Sequence, residues 1–162
     1  MKPNVTSTGR MTDSTMARIA RVLRTQDLSL AVAESLTGGL LSGRFAAGPD
    51  ATEWYRGGIV AYTRRVKQEV LGAGNGRLVS KQTACEMARG VSDLLSSDMA
   101  VAVTGAGGPD GLDGAEPGEV WIAVRCCGDA SAWSFTFSGD PEEICEQTCT
   151  AAIERVATVL GL

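Results

Sequence analysis

The chain reads as a single α/β domain of three layers, with helices packed on both faces of a mixed, mostly parallel sheet. Three observations predict this. Short apolar runs that do not alternate with polar residues, Leu28 to Ala33 and Met99 to Thr104, describe strands covered on both faces. Segments of helical period lie between the strands, as in α/β proteins. At 162 residues, 44% hydrophobic and 21% charged, the chain has the size and composition to bury one real core.

The first twelve residues are polar and contain Pro3 and Gly9, so a disordered tail is expected over 1–12 and the folded domain over 13–162. Met16, Ile19, Ala20 and Leu23 repeat at helical spacing within Asp13 to Arg24. Leu28 to Ala33 reads as a buried strand, and Gly38 to Ala47 as a helix closed by Gly48-Pro49. Gly57 to Thr63 reads as a second strand and Arg64 to Leu71 as a short helix ending at Gly72. Ser80 is placed to cap a helix whose buried side is Ala84, Met87, Ala88, Val91, Leu94 and Leu95.

The strand Met99 to Thr104 runs into Gly105 to Gly118, where six glycines and two prolines exclude regular structure. Glu119 to Cys127 and Ala132 to Phe137 read as a hairpin turning at Gly128-Asp129, which makes the sheet mixed. Asp140-Pro141-Glu142-Glu143 combines an N-cap, a proline at the first helical position and a glutamate at the third. It opens a last helix with Ile144, Thr148, Ala152, Val156 and Leu160 on one side.

Composition narrows the function. Fifteen basic against nineteen acidic side chains leave a net charge of −4, without the basic footprint of a nucleic-acid-binding protein. The N-terminal residues lack the apolar core of a signal peptide, and no apolar run approaches membrane-spanning length, so a cytoplasmic protein with no membrane partner is expected. The five cysteines, Cys85, Cys126, Cys127, Cys145 and Cys149, are odd in number and read as free thiols. Cys145 and Cys149 share a helix face and supply half a metal site at most. With no histidine and no CxxC pair, small buried hydrophobes are the better reading and no metal is expected.

Three clusters carry chemistry. In the first, Ala33-Glu34-Ser35-Leu36-Thr37-Gly38-Gly39 follows the first strand directly. Open α/β sheets bind ligands at the carboxyl ends of their strands, and a serine on a strand-to-glycine turn displays a nucleophile or cradles a phosphate. Spacing alone leaves two readings open, a serine that caps the next helix and a serine that attacks a substrate. With no histidine in the chain, an attacking Ser35 must pass its proton to a lysine, a tyrosine or a carboxylate.

The second cluster, Gly57-Gly58-Ile59-Val60-Ala61-Tyr62-Thr63-Arg64-Arg65-Val66-Lys67, supplies candidates. Lys67 works as a base only if desolvation or a neighbouring cation lowers its pKa, and Arg64 and Arg65 are such neighbours. Tyr62 is placed to relay a proton or orient the lysine; the plain alternative is a half-buried tyrosine and a surface lysine. The spacing is one residue longer than the Tyr-x-x-x-Lys of short-chain dehydrogenases, and their N-terminal glycine-rich fingerprint is absent. The third cluster, Thr104-Gly105-Ala106-Gly107-Gly108-Pro109-Asp110-Gly111, exposes backbone N–H groups suited to an anion but is not followed by Gly-Lys-Ser/Thr; a plain surface loop is its alternative.

These segments, with Val79-Ser80-x2-Thr83-Ala84 between them, come in the order seen in the C-terminal domain of the competence/damage-inducible protein A (CinA) family, and the chain resembles that family from about residue 14 to its end. The resemblance implies a nicotinamide-nucleotide amidase that converts nicotinamide mononucleotide to nicotinate mononucleotide and ammonia, with a small-molecule nucleotide as partner and no cofactor. It implies a serine nucleophile assisted by tyrosine and lysine, here Ser35, Tyr62 and Lys67. Backbone groups at Thr37, Gly38 and Gly39 or at Thr104, Gly105 and Gly107 would bind the substrate or its oxyanion, and Arg44 is a candidate phosphate contact. A homo-oligomer is implied too. Many members carry an N-terminal molybdopterin-binding-like domain for which this chain has no room, so the stand-alone form is expected. Two departures stand out: Pro141 and Cys145 occupy positions where the family commonly has arginine, and Thr-Gly-Ala-Gly-Gly-Pro replaces Thr-Gly-Ile-Ala-Gly-Pro. The rival from another class is a non-catalytic nucleotide-binding or regulatory domain in competence or DNA-damage responses.

Overall fold

A computed structural model describes residues 7–162, with side chains from Ser14 onward. Helices α1 (Ser7–Thr25), α2 (Leu40–Ala46), α3 (Arg64–Leu71), α4 (Lys81–Leu95) and α5 (Pro141–Val159) surround strands β1 (Leu30–Glu34), β2 (Tyr55–Val60), β3 (Met99–Gly105), β4 (Glu119–Cys126) and β5 (Asp129–Thr136). The strands form one sheet in the order β2-β1-β3-β4-β5. Strands β2, β1 and β3 are parallel; β4 and β5 follow antiparallel, so the sheet is mixed with two pairings of each kind. Of the tail expected over 1–12, the first six residues lie outside the described residues, and from Ser7 the chain is already in α1. Extending an existing helix adds one hydrogen bond per residue fixed, so the polar stretch before Asp13 continues what the Met16 to Leu23 stripe nucleates.

The two faces of the sheet are built differently. Leu30 and Val32, Met99, Val101 and Val103, and Val120, Ile122 and Val124 point into a large core with α1, α2 and α5. On the opposite face the intervening residues are mostly alanines, Ala31, Ala33, Ala100, Ala102 and Ala123, and they pack under Met87, Ala88 and Val91 of α4. Strand alternation sorts side chains by face, so a run that looks uniformly apolar contains a bulky side and a thin one. The thin side lets α4 lie close across β1, β3 and β4. Close approach recurs where α3 meets α4: a Cβ added at Gly90 would collide with the Leu71 carbonyl that ends α3.

Several element edges differ from expectation, each for a local reason. Gly38 and Gly39 have φ of 56° and 110°, outside the helical region, so α2 starts at Leu40 rather than at Gly38. Strand β2 covers Tyr55–Val60 instead of reaching Thr63. Its last bond to β1 is Ala61 N–H to the Glu34 carbonyl, after which Thr63 caps α3 by accepting from Val66 N–H. The hairpin turns at Cys127-Gly128, one residue earlier than expected, and both residues have positive φ, as a tight two-residue turn requires. The caps at Ser80 and Asp140 form as expected, the latter as a complete capping box with Glu143.

Alanine is the better helix former by about 1 kcal/mol, yet Gly90→Ala is expected to destabilise the protein by about 1–3 kcal/mol because the α3–α4 contact must open. Urea denaturation of the variant checks this; an unchanged or higher midpoint would show that α3 and α4 are not in close contact at Gly90.

Candidate active site

Strand β1 delivers Ser35 to its carboxyl end, and α3 places Lys67 directly beneath it. The Lys67 Nζ lies 2.9 Å from Ser35 Oγ, 2.7 Å from the Ala61 carbonyl oxygen and 3.2 Å from that of Tyr62. Lys67 is buried, 1% exposed, and among the described residues no carboxylate lies within ion-pair distance of it. Desolvation and, second, the charge of Arg64 one turn earlier lower its pKa to about 8. Of the two arginines expected to act on it, Arg65 instead pairs along the helix with Glu69 at 2.9 Å.

The geometry assigns each direction around the nitrogen. A neutral amine has two hydrogens and one lone pair, and carbonyl oxygens only accept. With both hydrogens donated to Ala61 and Tyr62, the lone pair faces Ser35 Oγ. The two carbonyls thereby aim the lone pair at the hydroxyl.

Glu34, absent from the sequence-based site, organises the other side of Ser35. Its carboxylate is wholly buried and accepts from Thr37 Oγ1 at 2.6 Å and from the Leu41 and Ser42 amides at 2.9 Å. These bonds clamp the turn 35–39 to the first turn of α2, and Gly38 N–H closes the turn on the Ser35 carbonyl at 3.1 Å. The sequence did hold a signal: a glutamate ending an otherwise apolar buried strand must find donors, and the nearest ones are the opening amides of the next helix.

An open cavity of about 270 Å³ lies over Ser35. Leu36, Tyr62, Pro141 and Cys145 form part of its wall, and the loop residues Gly105, Gly107, Gly108, Asp110, Gly111 and Leu112 form the rest. Tyr62 stands at the rim, 67% exposed, so its carbonyl works on Lys67 while its phenol faces outward. Of the expected substrate-binding residues, Gly105 and Gly107 reach the cavity. Thr37 and Thr104 are buried, their hydroxyls bonded to Glu34 and to the Leu78 carbonyl. Gly38 and Gly39 shape the turn rather than line the cavity, and Arg44 points to α5, pairing with Glu146 and lying 3.4 Å from Thr150 Oγ1.

The loop wall is held by an arrangement that spacing did not reveal. Asp113 Oδ2 accepts from Leu78 N–H at 2.8 Å and from Arg64 at 3.1 Å, while Arg64 also donates to the Gly76 carbonyl. Arg64 thus ties the turn of α3 that carries Lys67 to two loops. Cys145 Sγ lies 3.2 Å from the Leu36 carbonyl, and burial pushes its thiol up from the ordinary range, so it is a weak nucleophile beside Ser35. All five cysteines are free. Among the described residues no group of three His, Cys, Asp or Glu is placed to hold a metal ion, and no helix is long and apolar enough to cross a membrane.

The family model of the CinA C-terminal domain matches residues 12–160. The chain belongs to the CinA C-terminal domain family. A CinA-like protein of Geobacter metallireducens is 37% identical over 156 residues, covering 93% of this chain and 37% of its own length. A putative competence-damage inducible protein of Bacillus subtilis is 37% identical over 131 residues, 78% of this chain and 32% of its own length. The chain therefore spans about a third of the curated CinA relatives it matches. Among solved structures, a CinA superfamily protein from Klebsiella pneumoniae superposes with a TM-score of 0.87 at 31% identity, covering 93% of this chain and 98% of its own. A CinA superfamily protein from Enterobacter cloacae gives 0.89 at 29% identity, covering 99% and 96%.

Removing the Thr37 hydroxyl takes one of three donors from the buried Glu34 side chain and leaves that acceptor less well satisfied. Thr37→Val is expected to cost about 1–3 kcal/mol of stability and to lower the protection of the Leu41 and Ser42 amides. Denaturant unfolding with amide hydrogen exchange checks this, and unchanged exchange at both amides would remove Glu34 as the clamp of the turn.

Proposed function

We propose that this CinA-family domain is a serine amidase that deamidates nicotinamide mononucleotide, releasing ammonia and nicotinate mononucleotide. The observation that supports it most is the 2.9 Å approach of a buried lysine of lowered pKa to a serine at the floor of a cavity. A nucleophile needs a base within hydrogen-bond reach, and a lysine serves as one when its neutral form is accessible near physiological pH.

In this reading Ser35 Oγ attacks the carboxamide carbon while its proton passes to the neutral Lys67 amine. The tetrahedral oxyanion is held by the backbone N–H of Gly107 in the cavity wall; one such donor typically contributes about 3 kcal/mol to the transition state. The Lys67 ammonium then returns the proton to the leaving nitrogen, with the Tyr62 phenol at the rim assisting, and ammonia departs. Water, deprotonated in turn by Lys67, attacks the acyl-serine and restores Ser35 as the acid product is released. No cofactor takes part in these steps.

Ser35→Ala is expected to reduce ammonia release from nicotinamide mononucleotide at least a thousandfold while leaving the fold intact by circular dichroism. Nucleotide binding by the wild type without any turnover would instead favour the regulatory-domain reading. Because the neutral lysine is the active form, kcat/KM should rise about tenfold per pH unit below pH 8 and level off above it. Lys67→Met should abolish that rise together with most of the activity. Arg64→Gln, which removes the charge opposing protonation, should move the rise to higher pH. A profile that is flat from pH 6 to 9 in the wild type rules out Lys67 as the base.

A further inference from the structure

We propose that Cys126 and Cys127, at the tip of the β4–β5 hairpin, form a chelating dithiol that captures a trivalent arsenical through both sulfurs. The site is separate from the cavity over Ser35. Cys126 pairs with Met99 at the start of β3, whereas the cavity is lined by Gly105 at its end, about 20 Å along the strand.

The turn puts the two sulfurs together. Neighbouring residues of a strand point to opposite faces, so adjacent cysteines within a strand do not share a ligand. Here β4 ends at Cys126, and Cys127 enters the turn with φ of 53°, a left-handed conformation that glycine or asparagine adopts more readily. The two Sγ atoms lie 3.6 Å apart. Both residues are anchored before any ligand arrives, Cys126 by its pairing with Met99 and Asp129, and Cys127 by an N–H donated to the Asp98 carbonyl at 3.1 Å. Cys127 is exposed and Cys126 half-buried, both as free thiols, so the expectation of small buried hydrophobes fails at this pair.

Spacing and ligand number select what binds. Adjacent Cα atoms are about 3.8 Å apart, short of the roughly 4.4–6.8 Å that a disulfide spans, so closing the pair on itself is strained. A linear two-coordinate ion holds its sulfurs about 4.6 Å apart, at the ~2.3 Å of a metal–thiolate bond, which is wider than the contact here. Zinc accepts closer sulfurs but takes about four ligands in a structural site. Among the described residues no group of three His, Cys, Asp or Glu is placed to hold a metal. A monosubstituted trivalent arsenic needs two protein ligands, because its third bond goes to its own organic group. Its pyramidal shape holds the two sulfurs about 3.3 Å apart at a similar bond length. Burial and the adjacent Cys127 push the Cys126 thiol up to about 11, so it stays protonated near neutrality and is a poor target for alkylation. Capture of an arsenoxide disposes of both thiol protons. Two As–S bonds form, the As=O bond breaks, and the protons leave with its oxygen as one water, with no change of oxidation state.

The probe is phenylarsine oxide added to the full chain, with the adduct read by intact-mass spectrometry. One phenylarsenic per chain is expected, retained against excess glutathione and removed by a dithiol such as 2,3-dimercaptopropanol. The second bond of a chelate forms intramolecularly, so Cys126→Ser and Cys127→Ser should each lower the affinity about a hundredfold. Cys127→Asn suits the left-handed turn and should lose the arsenical equally while keeping or raising the urea midpoint, which separates loss of a ligand from loss of the fold. Cys145→Ala should change nothing. Retention that survives Cys127→Asn overturns the proposal. So does retention lost in Cys145→Ala, which assigns the arsenic to Cys145 and Cys149 on α5, or a wild-type adduct that glutathione strips.

Discussion

Burying a lysine without a carboxylate partner is an unusual constraint, and much of this fold is arranged to meet it. Among the described residues, a charged ammonium at the Lys67 position has the Ala61 and Tyr62 carbonyls and the Ser35 hydroxyl as its partners, and desolvation favours the neutral amine. Those two carbonyls belong to the chain just after β2, where it leaves the sheet and turns into α3. Their position depends on the last bond of the β1–β2 ladder, from Ala61 to Glu34, and on the Thr63 cap. The lysine is thus aimed by a strand end, and the serine it faces sits at the end of the adjacent parallel strand.

The two sides of Ser35 are held by opposite electrostatic solutions. On one side, the buried Glu34 side chain accepts from three donors and closes the turn onto α2. On the other, desolvation and the charge of Arg64 loosen the hold of Lys67 on its proton. Arg64 links this second side to the cavity wall through Asp113, so the cation that disfavours protonation of Lys67 also fixes the loop above it. The thin alanine face of the sheet makes this possible, since it lets α4 approach the sheet while α3 packs against α4 at Gly90.

Much of this was legible in the chain. Apolar runs marked the strands, caps marked the helices, and the lack of histidine directed attention to Lys67 as the partner of Ser35. Less legible were features that depend on which neighbour a polar group finds. Thr37 and Thr104 looked like ligand contacts, yet each is buried and bonded to protein. Arg44 looked free for a phosphate, yet it pairs with Glu146 a hundred residues away. Short-range periodicity carries no record of such distant partners. Element ends shifted where backbone conformation decided them, as at Gly38 and Gly39 or Cys127 and Gly128.

By itself the sequence determined the α/β architecture, which follows from periodicity and turn residues; the order of its motifs carried the resemblance to the family, and the lack of histidine narrowed the partners open to Ser35 to a lysine, a tyrosine or a carboxylate. Only the tertiary structure decided that Lys67 is buried and oriented by two carbonyls, that Glu34 clamps the turn after Ser35, and that Asp110 is the sole charge among the described residues of the cavity wall. The reason is physical: pKa, orientation and surface charge belong to groups of residues brought together from separate strands and loops, and no single stretch of chain contains them.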